Sequence, residues 1–317
     1  MNRTDAFLFA ALLILPLASA ANADASNPAL LQAAFADAQC RVTFTNSVIT
    51  SVTTRVPGVP NYDALLADVA ALNSDITFLQ GYVTNNDLEG FKAYVNGTFR
   101  SHLTAANQDV KDARASFQSI NVTREVLEGL RSDYNASKAA YGTCHLGAIK
   151  QYALAKAARY DEMLANATAT ANKLGEKGVD TSGMMVEVNN ANELLVGPFK
   201  IAIDSATTPE QVKAALQKFC LFNGCPNGLN FHFAANFEVQ KASAIYDALV
   251  EHGASGPFVE KTKIDLASVK STLALIGTKW SSKAQQEVLW AQIRLVYADL
   301  KALRKTIPAP SPPASSG

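Results

Sequence analysis

Nothing in these 317 residues is apolar for long enough to cross a bilayer as a helix. The two best runs are Ala6–Leu17 and Leu194–Ile203, and the second is interrupted by Gly197-Pro198 and Lys200. A membrane-piercing hairpin would need a longer greasy segment than either. An excess of one charge is missing too: 28 basic residues face 28 acidic ones. No net field therefore draws in nucleic acid or an anionic membrane. Recognised catalytic patterns are also missing, with no HExxH, Walker loop, GxGxxG or GxSxG. The four histidines, His102, His145, His232 and His252, are scattered, and the adjacent Asp161-Glu162 diverge on a helix rather than pairing as acid and base. The expectation is a protein without catalytic activity or cofactor.

Cysteine is scarce, at four residues, and how those four are read depends on the start of the chain. MNRTDAFLFAALLILPLASAANADA has a basic residue at Arg3, an apolar core, and small residues at Ala18, Ala20, Ala21 and Ala23. That is the pattern of a secretory signal over 1–23, and about twelve apolar residues are too few for an anchor. Outside the cytoplasm an even cysteine count argues for disulfides, and four cysteines allow three pairings. Cys40–Cys144 with Cys220–Cys225 is favoured, because the second pair already face each other across a turn. Loop entropy sets the first bridge at about 4–5 kcal/mol and the second at about 2 kcal/mol.

The second pair sits in FCLFNGCPNGLNFHF, Phe219–Phe233, the most chemically suggestive stretch of the chain. Four residues between thiols is the edge of the zinc range, and neither His232 nor Cys144-His145 completes a recognised spacing. A redox centre would use a two-residue gap in a strand-helix setting. A structural disulfide closing the turn at Asn223-Gly224 is therefore expected, with no metal ligands assigned.

Between its ends the chain is patterned as helix almost throughout. Leu65, Val69, Leu72, Ile76, Leu79 and Val83 alternate spacings of 4 and 3, as do Leu289, Ile293, Val296, Leu300, Leu303 and Ile307. Each series draws one apolar seam along a helix. Phe91, Val95, Phe99, Val110 and Phe117 form a similar stripe, read as core rather than as a ligand platform. Punctuation falls at Pro57-Gly58, Asn85-Asn86, 119–122, Gly142, Gly178 and Gly253. Thr123 and Thr208-Pro209 read as helix starts. Residues 40–56 are rich in Thr and Val but find no partner strand, so they are taken as helix. Alanine, at 53 residues, lets helix axes approach closely.

The fold class is therefore all-α: an elongated, disulfide-stabilised bundle of long antiparallel helices. The expected divisions are a signal over 1–23, a bundle over 24–178, a second over 179–306, and a Pro/Ser-rich tail over 307–317.

The hairpin LxxxGVDTS…VxxANELL, carried by Leu174, Gly178, Asp180, Val188, Ala191, Leu194 and Leu195, resembles a pattern in uncharacterised exported helical proteins of archaea. The resemblance covers one hairpin and implies a surface or secreted setting, with no activity attached. Four sequons, at Asn96, Asn121, Asn135 and Asn166, lie beside the apolar stripes and are candidates for glycosylation. The expected function is a secreted or cell-surface structural or interaction protein, meeting a protein partner or itself through helix faces. The alternative is an extracellular small-molecule binding or sensor bundle, which requires a partly apolar cleft between helices with a few converging polar groups.

Overall fold

The computed structural model describes residues 28–219, 229–276 and 282–307. Among them no strand occurs, and these described residues are helical almost throughout. The helices are α1 (Pro28–Arg55), α2 (Tyr62–Thr84), α3 (Leu88–Tyr94), α4 (Arg100–Ser116), α5 (Arg124–Gly175), α6 (Ser182–Ala191), α7 (Gly197–Ser205), α8 (Pro209–Phe219), α9 (Leu229–Glu251), α10 (Pro257–Ile276) and α11 (Lys283–Arg304). Single π-helical turns, Val95–Phe99 and Asn192–Val196, join α3 to α4 and α6 to α7. The Thr/Val-rich segment 40–56 lies within α1, apart from its last residue, so tertiary packing overrides its strand propensity. Its Val42, Ile49 and Val52 are all buried.

Contacts divide the chain into two compact units: 1–155 with 207–209, and 156–206 with 210–317. The division falls inside α5, between Ala155 and Lys156, whereas the sequence reading placed it at the Gly178 turn. That helix also runs through Gly142 unbroken, contrary to the pause expected there. Flanking helix formers carry the backbone across an isolated glycine, at a cost of about 1 kcal/mol against alanine.

In the first unit α1 packs on α2 and α4, and α2 packs on α4. The α2 seam is buried at Leu65, Leu72 and Leu79, while Val69, Ile76 and Val83 are only half-buried. Phe91, Phe99, Val110 and Phe117 all enter the same core, as the stripe predicts. Leu130 and Tyr134 of α5 close it, with the edge of Tyr134 toward Phe44 at 5.9 Å. Two exposed asparagines turn the chain with positive φ: Asn86 after α2 and Asn121 before α5. Thr123 then accepts from the Val126 amide as α5 begins.

The second unit is built on α9, α10 and α11, which pack on one another around Ala235, Val239, Leu266, Val269, Leu289 and Ile293. The α11 seam is buried from Leu289 to Leu303, and its start is a capping box between Ser282 and Gln285. Against α9 lies α6. Gly178, at φ +80°, stops the chain after α5, and the Asp180 carboxylate accepts from the Ser182 amide to start α6. Gly253, at φ +84°, repeats that stop after α9.

Candidate functional site: an aromatic cleft in the second unit

Alanines on three helices leave an opening in the second unit. Ala167 of α5, Ala191 of α6 and Ala234 of α9 bound a cleft of about 350 Å³, within the size range of small-molecule sites. Its walls are mainly apolar. Tyr160 and Leu164 come from α5, Phe233 and Phe237 from one face of α9, and Trp290 from α11. The edge of Phe231 meets the Trp290 ring at 6.0 Å and 88°, so two phenylalanines two residues apart serve different surfaces. The π-helical turn explains the remaining wall. Val188, Ala191 and Leu195 keep α-helical spacing, and the extra residue in the turn brings Val196 to the cleft beside its neighbour Leu195.

Polar groups converge at a few points of this apolar surface. Glu238 accepts a hydrogen bond from the Tyr297 hydroxyl at 2.6 Å and pairs with Lys241 at 3.1 Å. Lys241 Nζ also lies 5.3 Å from the centre of the Tyr297 ring. Burial, the bond to Glu238 and its negative charge push the Tyr297 hydroxyl well above the usual phenol range. Glu187, on the α6 wall, is different. Burial raises its carboxyl above the ordinary glutamate value, opposed by the His232 ring and by hydrogen bonds with Asn236 and Asn190. The Asn236 amide is tied in turn to His232 Nε2 at 3.0 Å. His232 Nδ1 is buried with no hydrogen-bond partner among the described residues. His232 thus joins the Glu187 network through Asn236, a role its position in the sequence did not suggest.

The remaining expected site residues fall elsewhere. Cys40 and Cys144 form a disulfide joining α1 to α5, with Cα atoms 5.7 Å apart. Beside it, His145 Nδ1 bonds the buried Asp37 carboxylate, which Arg41 holds at 3.0 Å from the other oxygen. The His145 ring stacks on Tyr141 at 5.4 Å. Burial alone would push the Asp37 carboxyl up, but the His145 bond and the Arg41 charge outweigh it and leave it below the usual range. Cys220 and Cys225, and so the second disulfide, lie outside the described residues. Among the described residues no group of three or more His, Cys, Asp or Glu side chains is placed to hold a metal ion. Asn96, Asn121, Asn135 and Asn166 are all exposed. Asn96 lies in a π-helical turn, Asn121 in a loop turn, and Asn135 and Asn166 on α5. Asn166 also stands at the rim of the cleft.

A further polar cluster lies in the first unit. Asp75, only 1% exposed, accepts from the Tyr94 hydroxyl at 2.7 Å and lies 2.9 Å from His102 Nδ1. Nearby, burial and the charge and hydrogen bond of Asp109 push the Asp68 carboxyl up to about 6, against the opposing charge of His102.

The cleft residues were missed in the sequence because Glu187, Glu238 and Trp290 are far apart along the chain and share no motif. The available signal was on α9, where Phe233, Phe237 and Lys241 recur every four residues beside Glu238.

Comparison with protein-family models, with curated proteins and with solved structures finds no match to this chain.

Proposed function

We propose that the protein is an exported, non-catalytic helical binding protein whose second unit receives a small, largely apolar molecule in the cleft. The observation that carries this reading is the cleft itself: about 350 Å³, aromatic on two sides, with polar groups at a few fixed points. Export is supported by the signal-like start of the sequence and by the Cys40–Cys144 disulfide, which belongs to an oxidising compartment. The test is calorimetric titration of the mature protein with a neutral apolar probe such as N-phenyl-1-naphthylamine. Saturable one-to-one binding is expected, and Ala167→Leu, which adds bulk at the cleft wall, should abolish it. Binding unchanged in Ala167→Leu would place the probe elsewhere and sink the reading.

A second reading, assembly with itself or with a protein partner, has its own support. Leu194 in the π-helical turn and Ile201 in α7 both stand exposed, and Leu275 of α10 is 86% exposed. Light scattering that stays monomeric over a hundredfold range of concentration would remove the self-association half of it.

A further inference from the structure

The charges in the cleft are not balanced. Its lining carries two carboxylates, Glu187 and Glu238, against one ammonium, Lys241. Lys241 and Glu238 satisfy each other at 3.1 Å, and Tyr297 adds a donor to Glu238 at 2.6 Å. Among the described residues Glu187 has no comparable cation. Its hydrogen-bond partners are the neutral amides of Asn190 and Asn236, and its electrostatic support is the ring of His232, which carries charge only when protonated.

We propose that the cleft takes an organic cation: an apolar or aromatic body carrying an amine or quaternary ammonium, with the charge directed at Glu187 and the body against Phe233, Phe237 and Trp290. This rests on the reading of the cleft as a ligand site. Two physical effects act together. Aromatic faces attract a cation through their quadrupoles, most strongly when water is excluded. A half-buried carboxylate regains, from a ligand cation, the stabilisation that desolvation took from it. An anionic ligand of the same shape meets the opposite situation. The cleft's ammonium is already engaged by Glu238, and the ligand would stand against the uncompensated charge of Glu187. A neutral ligand would bury that carboxylate further without pairing it, which costs free energy.

The experiment uses the full mature chain with Trp280→Phe, leaving Trp290 as the one tryptophan reporter. It is titrated at pH 8, where an ordinary imidazole is neutral, with three probes sharing one body: 3-phenylpropylammonium, 3-phenyl-1-propanol and 3-phenylpropionate. The ammonium should bind about tenfold or more tightly than either of the others. Glu187→Gln should erase that preference, weakening the ammonium and strengthening the alcohol, which no longer buries an unpaired carboxylate. Glu187→Asp, which keeps the charge, should retain part of the preference, so that loss of fold and loss of charge are told apart. If the alcohol or the propionate binds as well as the ammonium, or if Glu187→Gln leaves the preference intact, the cation assignment is wrong and the cleft reading survives. If none of the three moves Trp290 emission, both are wrong.

Discussion

Several residues that matter most here are charged side chains buried among the apolar ones of the helices. Asp75, beside the α2 seam, is held by Tyr94 and His102, and Asp37 is held by His145 and Arg41. A buried carboxylate is tolerated because each oxygen has a donor. Asp68 lacks that provision, since Asp109 beside it is another acid and one Asp68 oxygen is buried without a hydrogen-bond partner. The consequence for pH follows from the direction of the shift. Asp68 holds its proton more tightly folded than unfolded, up to about 6 against an ordinary 3.8. The folded state therefore binds more protons in that window, and stability falls as pH rises through it. Asp37 is shifted the other way, so its contribution is complete above its ordinary range and is lost only as pH falls below that. We expect the urea midpoint followed by circular dichroism to decrease between pH 4.5 and pH 7. Asp68→Asn should flatten that slope and stabilise the protein at pH 7 by about 1 kcal/mol, discounted for partial solvent screening. A slope that is the same in both proteins would remove Asp68 as its source.

Among the elements, α5 departs furthest from the sequence reading. Gly142 reads in the sequence as a pause, yet it and Gly147 both lie inside a 52-residue helix. A Cβ added at either would meet nothing within 4 Å, and neither has a positive φ. The two glycines thus bring conformational freedom to the unfolded chain and nothing to the folded one. Gly142→Ala and Gly147→Ala should each raise stability by about 0.5–1 kcal/mol, read as a higher thermal midpoint. A fall at either position would mean that the helix is bent or contacted there. The contrast with Gly178 and Gly253 shows what was legible. Those two are followed by a polar cap or by Pro257, and the helices do end there. A glycine signals a stop when its neighbours also break the helix, and not otherwise. The apolar seams were legible for the same reason, because periodicity reports a helix and its buried face together. What a single helix cannot report is where its flank meets another. The cleft depends on alanines from α5, α6 and α9 coming to one place, and on a π-helical turn that shifts phase by one residue. Neither leaves a local signature.

At the scale of the whole molecule, the division into two units separates two kinds of stabilisation. The Cys40–Cys144 bridge closes a separation of 104 residues, and both ends lie in the first unit. It should contribute about 4–5 kcal/mol to that unit by restricting its unfolded chain. The second unit holds both tryptophans of the protein, Trp280 and Trp290, whereas the first has none. Two optical signals therefore follow different parts of the chain. Far-ultraviolet circular dichroism reports helices of both units, and tryptophan emission reports the second alone. In the double variant Cys40→Ser/Cys144→Ser, part of the dichroism change should move to markedly lower urea. The tryptophan transition should stay where it is, because no cross-link in the second unit has been altered. If the tryptophan midpoint moves down in parallel, the units unfold as one cooperative body, with α5 as the covalent route for the coupling. If neither midpoint moves, the bridge stabilises by far less than its loop length implies, and residual structure must already restrain the unfolded first unit.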